Sequence, residues 1–79
     1  MIPNLKTAIA AEMDVQVANH YYVATARYLG NDMWSVVIAD CDGGVVQEES
    51  YIPTPLAEGL LYNISITRWE LIDREEVVV

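Results

Sequence analysis

Two turn-forming clusters, Gly30-Asn31-Asp32 and Asp42-Gly43-Gly44, divide the middle of this chain into three segments, 21–29, 33–40 and 45–52. All three are rich in the β-branched and aromatic residues that suit a pleated, half-buried surface. The gaps between them are three and four residues wide. A parallel crossover needs about a dozen residues or more. The three segments are therefore restricted to an antiparallel meander. Glycine, asparagine and aspartate at the gaps supply the positive-φ positions that tight hairpins require.

The flanks are less constrained. Asn4 is placed to cap a helix, and Leu5, Ile9, Met13 and Val17 recur every fourth residue with Ala8 beside them. This spacing predicts a helix over 4–18, with Asn19 as its left-handed stop. A shorter helix to Met13, with strand from Val15, is the alternative. Pro53-Thr54-Pro55 ends the third strand, and 56–60 reads as a helical turn or a loop. Tyr62, Ile64 and Ile66 alternate, which predicts a fourth strand over 61–72. Trp69 and Leu71 fall out of phase with them, so a bulge or break is expected near Arg68. Residues 73–79, a charged run followed by three valines, read as a frayed tail or a short added strand. The expected whole is a single α+β domain over 1–79, with one N-terminal helix packed on a four-stranded, mostly antiparallel sheet. A small curled β-barrel with one helix is the alternative.

Alternation sorts the side chains of this sheet. Trp34, Val36 and Ile38, with the small Ala24 and Ala26, form the expected helix-covered face. The opposite face combines Met33, Val37, Tyr51 and Tyr21 with Arg27, Gln47 and Glu49. Left open, it has the make-up of a protein-binding surface or a homodimer interface. In the barrel alternative both faces are buried.

Charge narrows the partners. The chain carries twelve carboxylates against four cations, a net −8. The forty residues between Arg27 and Arg68 hold no Lys or Arg and six carboxylates: Asp32, Asp40, Asp42, Glu48, Glu49 and Glu58. Direct nucleic-acid binding, which rests on cations neutralising phosphates, is not expected. Neither is attraction to an anionic membrane. The acidity serves solubility or complements a basic partner. No apolar run approaches the ~18 residues of a membrane span. Cys41 is the one cysteine, so no internal disulfide forms. With an N-terminus unlike a signal peptide, this points to an intracellular, cytoplasmic setting. In that setting Asn63-Ile64-Ser65 is a chance match to the glycosylation pattern.

No constellation carries catalysis. Asp40-Cys41-Asp42-Gly43 resembles the start of a calcium loop, but the fifth and twelfth positions are Gly44 and Tyr51, where oxygen ligands are needed. Glu48 and Glu49 point to opposite faces of a strand. His20, the one histidine, stands at a junction without an identifiable partner, and acidic neighbours disfavour a Cys41 thiolate. No metal, no cofactor and no enzymatic activity are expected. The expected function is a small acidic module that inhibits or regulates a larger protein by occupying its basic, even nucleic-acid-binding, surface. In size and charge this matches a format of virus-encoded anti-defence inhibitors, including anti-CRISPR proteins. The expected contact residues are Asp40, Asp42, Glu48 and Glu49, with Tyr51 as an aromatic anchor and Arg68 and Trp69 as a second one. The alternative is a non-catalytic structural subunit of an oligomer or larger assembly, held by the open sheet face or by the valine tail.

Overall fold

The computed structural model describes residues 4–74. The chain runs α1 (Leu5–Ala11), β1 (Asp14–Ala18), β2 (Tyr22–Gly30), β3 (Met33–Asp40), β4 (Val45–Pro53), α2 (Thr54–Tyr62) and β5 (Arg68–Ile72). The strands form one open antiparallel sheet in the order β4-β3-β2-β1-β5. The described residues form an α+β fold with two helices and five strands. The one-helix, four-strand expectation is corrected, and the sheet does not close into a barrel.

The meander forms as its turns dictate. Asn31 and Asp32 link β2 to β3 with φ of 53° and 61°, the paired left-handed conformation of a type I′ hairpin. At the other turn Gly43 takes φ 86°. The Asp40 carboxylate accepts from the Asp42 and Gly44 backbone N–H groups at 3.0 and 2.9 Å. A Cβ at Gly44 would lie 3.1 Å from Asp40 Oδ2, so this close approach favours glycine.

The predicted helix over 4–18 is cut short, and the alternative, a helix ending by Met13 with strand around Val15, is the one that forms. Asn4 caps α1 as expected, accepting from the Lys6 N–H at 3.0 Å. The helix ends at Glu12, which takes a left-handed φ of 55°. Strand β1 follows, with Val15 and Val17 fully buried. Asn19 does not stop a helix. It shapes the β1–β2 turn, accepting from the Tyr21 and Tyr22 N–H groups at 2.8 and 2.7 Å and donating to the Ile64 carbonyl. The predicted strand over 61–72 is also divided. Residues through Tyr62 belong to α2, Ser65 takes φ 56°, and strand begins only at Arg68. β5 then pairs with β1, Val15 opposite Leu71 and Val17 opposite Trp69. Of the tail expected over 73–79, residues 73 and 74 follow β5 without regular structure, and the rest lies outside the described residues.

Both helices cover the same sheet face. Leu5 and Ala8 of α1, and Ala57 and Leu61 of α2, meet Val15, Val17, Ala24, Ala26, Trp34, Val36 and Ile38 in one core. Trp34, Val36 and Ile38 are covered as expected. Trp34 is the largest fully buried side chain. The other face is uncovered, and Val23, Thr25, Met33, Ser35, Val37 and Ala39 on it are half-buried. At its β1 end Asp14 is buried, held by Arg27 Nε and Arg74 Nε, each at 3.2 Å.

Candidate functional site

The sheet order segregates charge. The cation-free stretch between Arg27 and Arg68 contains all of β3, β4 and α2. These elements form one side of the molecule, ending at the free edge of β4. The four cations lie elsewhere: Lys6 in α1, Arg27 in β2, Arg68 in β5 and Arg74 just after it.

β4 is the most exposed regular element. Among its nine residues only Ile52 is half-buried. Its inner side pairs with β3, and no strand pairs with its outer side among the described residues. Two register irregularities bracket the regular pairing of Gln47, Glu48 and Glu49 with Ile38, Val37 and Val36. At one of them Tyr51 takes φ 57°. A bulky side chain rarely adopts this conformation, which costs about 1–3 kcal/mol. The bulge bends the end of the strand and leaves Tyr51 73% exposed.

Between β4 and α2 runs a groove. One part, about 340 Å³, is lined by Glu49, Ile52, Pro55, Leu56, Gly59 and Leu60 among others. A second part adjoins it at Leu60 and Asn63 and extends to Tyr22, Val46 and Ile64. Leu56 and Val46, which line it, are each more than half exposed. Apolar surface is thus exposed in a groove beside an unpaired strand edge.

The expected contact residues do not form one cluster. Asp42, Glu48, Glu49 and Tyr51 lie along the β3–β4 hairpin and are exposed. Glu48 and Glu49 emerge on opposite sides as expected, but the faces are exchanged: Glu48 lies with Val37 on the uncovered face, and Glu49 and Gln47 lie with Val36 and Ile38 toward the helices, because the bulges shift the register of β4. Asp40 closes the head of this hairpin, and its carboxylate is engaged by the turn. Arg68 and Trp69 are at the opposite sheet edge, four strand spacings or about 19 Å away. Trp69 packs against the core. The groove residues of α2 were not anticipated. Their signal was Pro55, a favoured residue in a first helical turn, followed by Leu56 and Leu60 at i, i+4.

The turn role of Asp40 gives a direct test. Asp40→Ala removes the acceptor of two backbone N–H groups and is expected to cost about 1–2 kcal/mol. Asp42→Ala, two residues further on and exposed, stays within about 0.5 kcal/mol. Urea unfolding of the two variants measures both. Equal midpoints would remove the structural assignment of Asp40.

Other features are local. The Cys41 thiol lies 3.4 and 3.2 Å from the His20 and Tyr21 carbonyls and bridges neighbouring turns. Among the described residues no three His, Cys, Asp or Glu side chains are placed to hold a metal ion, and no helix is long and apolar enough to cross a membrane. No family model, curated protein or solved structure matches the chain.

Proposed function

We propose that this protein is a non-catalytic, intracellular binding module that regulates or inhibits a larger protein by occupying a basic surface on it. The observation that carries this reading is the β4 edge: an exposed, unpaired strand bearing Glu48 and Glu49, headed by Asp42, on a side of the molecule without a cation. Such a field raises the encounter rate with basic surfaces and rejects acidic ones. Where the basic surface is a nucleic-acid channel, the carboxylates stand where phosphates would.

The test is a side-by-side capture from lysate by the wild-type chain and D42N/E48Q/E49Q, with identification of the bound proteins. Exposed ion pairs contribute up to about 1 kcal/mol each. Loss of three is expected to weaken capture of a basic partner about tenfold or more. Raising the salt should do the same to the wild type. Equal retention of the same proteins by both chains would overturn the reading.

A second reading rests on a different observation, the half-buried Val23, Met33, Val37 and Ala39 on the uncovered sheet face. They favour a structural subunit that assembles through that face, as a homodimer or in a larger complex. It implies a complex that resists high salt. A monomer by light scattering at low and high salt would remove the homodimer form of it.

A further inference from the structure

We infer that the partner contributes an extended basic segment that adds to β4 as a sixth strand. On one side its apolar side chains enter the β4–α2 groove. On the other its lysines or arginines lie beside Glu48. This inference rests on the acidic binding-module reading and specifies its mode.

An edge strand presents a row of backbone N–H and C=O groups, which is a template for another strand. Strand addition draws affinity from main-chain hydrogen bonds and specificity from the pockets that alternate side chains meet. β4 offers both. Its regular window is Gln47–Glu48–Glu49. A strand laid along it has side chains on two sides with a period of two. The helix side opens on Ile52, Leu56 and Leu60, with the exposed Glu49 at the groove's rim, which suits Val, Ile or Leu within the groove. The other side meets Glu48 beside Val37 and Ala39, which suits Lys or Arg. The occupant is therefore an alternating basic–apolar segment.

A second copy of this chain is a poor occupant. Antiparallel self-pairing centred on the regular window sets Glu48 opposite Glu48 or opposite Glu49. Like charges directly opposite across strands are destabilising, and each copy brings a net −8. The same two glutamates that admit a basic strand protect this edge against self-association.

The probe is a blocked synthetic heptapeptide, Lys-Val-Lys-Val-Lys-Val-Lys, titrated into the full isotopically labelled chain at low ionic strength and read by amide chemical shifts. Saturable changes are expected on β4 and α2. Two further peptides carry backbone N-methyl groups on alternate residues, one in each phase. A strand uses only one of its edges, so one methylated peptide should lose about tenfold or more in affinity and the other should retain it. Leu56→Ser, at an exposed position, should weaken the parent peptide about fivefold by removing groove area.

Equal binding by all three peptides would overturn strand addition, as would the absence of saturable binding. Shifts on β4 that grow with protein concentration before peptide is added would place a second copy there and also overturn it. D42N/E48Q/E49Q separates this failure from that of the parent reading. If that variant binds the parent peptide as the wild type does, the acidic edge itself is not the determinant.

Discussion

Trp34→Ala is expected to remove a large share of the folding free energy and to lower the urea midpoint more than Trp34→Phe does. The indole is fully buried, and large-to-small replacement of a core Trp costs about 3–5 kcal/mol. A domain this small has only about 4–12 kcal/mol in total, by the usual stability per residue. Trp34 also holds a polar relay. Its Nε1–H donates to Thr54 Oγ1 at 2.9 Å, and the Thr54 hydroxyl donates to Asp32 Oδ1 at 2.5 Å. The Thr54 N–H donates to the Asp32 carbonyl at 3.2 Å. This relay joins the β2–β3 turn to the start of α2, a helix whose N-cap, Pro53, makes no side-chain cap bond. Tyr28 packs at the same place, with ring centroids 5.2 Å apart and planes tilted by 56°, and its hydroxyl accepts from the Asp32 N–H at 3.0 Å. Trp34→Phe keeps much of the volume but deletes the donor, so it should cost about 1–3 kcal/mol. Far-UV circular dichroism during urea unfolding separates the two variants. An alanine variant whose midpoint matches that of the phenylalanine variant would show that the relay, not core volume, sets the loss.

The β2–β3–β4 meander was legible in the sequence because its constraints are local. Turn residues stand where the backbone needs positive φ, and connections of three or four residues allow one topology. The covered face was legible for a related reason, since Trp34, Val36, Ile38, Ala24 and Ala26 follow the period of two. The ends were misread where two periods share residues. Val17 continues the four-residue spacing of Ile9 and Met13, but it also alternates with Val15 around Gln16. The helix stops at Glu12, an unusual residue for a left-handed cap, so nothing in its chemistry announced the stop. Asn19, which did look like a stop, works instead in a hairpin turn.

One miss produced another. Where the helix is read to 18, β1 is absent, β5 has no strand to pair with, and 61–72 joins into one segment; only the shorter-helix alternative leaves room for β1. The Tyr62-Ile64-Ile66 alternation spans a helix end and an irregular turn, and has no meaning as a strand. The break expected at Arg68 marks the true start of β5. Pro53-Thr54-Pro55 ends β4 and also begins α2; a helical turn or loop over 56–60 understates that helix, and the groove beside it has no signal of its own. Among the candidate contact residues, Asp42, Glu48, Glu49 and Tyr51 share the hairpin edge because they are close in sequence. Arg68 and Trp69 are remote because β5 crosses to the far side of the sheet, which only the long-range pairing with β1 decides.

That crossing is held by a buried carboxylate, and the direction of its mutational effects should be asymmetric. Asp14 has a side chain only 4% exposed, between Arg27 and Arg74, whose side chains are 39% and 37% exposed. It ties β1 to β2 and to the residue pair that follows β5. Asp14→Asn removes the anion and leaves two guanidinium groups that water reaches. The expected loss is about 1–3 kcal/mol, that of hydrogen bonds to a charged group. Replacing both cations, as in R27Q/R74Q, leaves the carboxylate against the sheet with its counter-charges gone. An uncompensated buried charge costs about 3–5 kcal/mol, so the double arginine variant should be the less stable by a clear margin. If the pair acted as an ordinary surface bridge, both variants would fall within about 1 kcal/mol of the wild type. Urea unfolding at low and high salt distinguishes the cases, because a buried pair is screened much less than an exposed one. A triple variant, D14N/R27Q/R74Q, completes the cycle. It should recover part of the stability lost by R27Q/R74Q, since the uncompensated charge is then gone. No recovery would mean that the arginines act through their own packing on the uncovered face and not through Asp14.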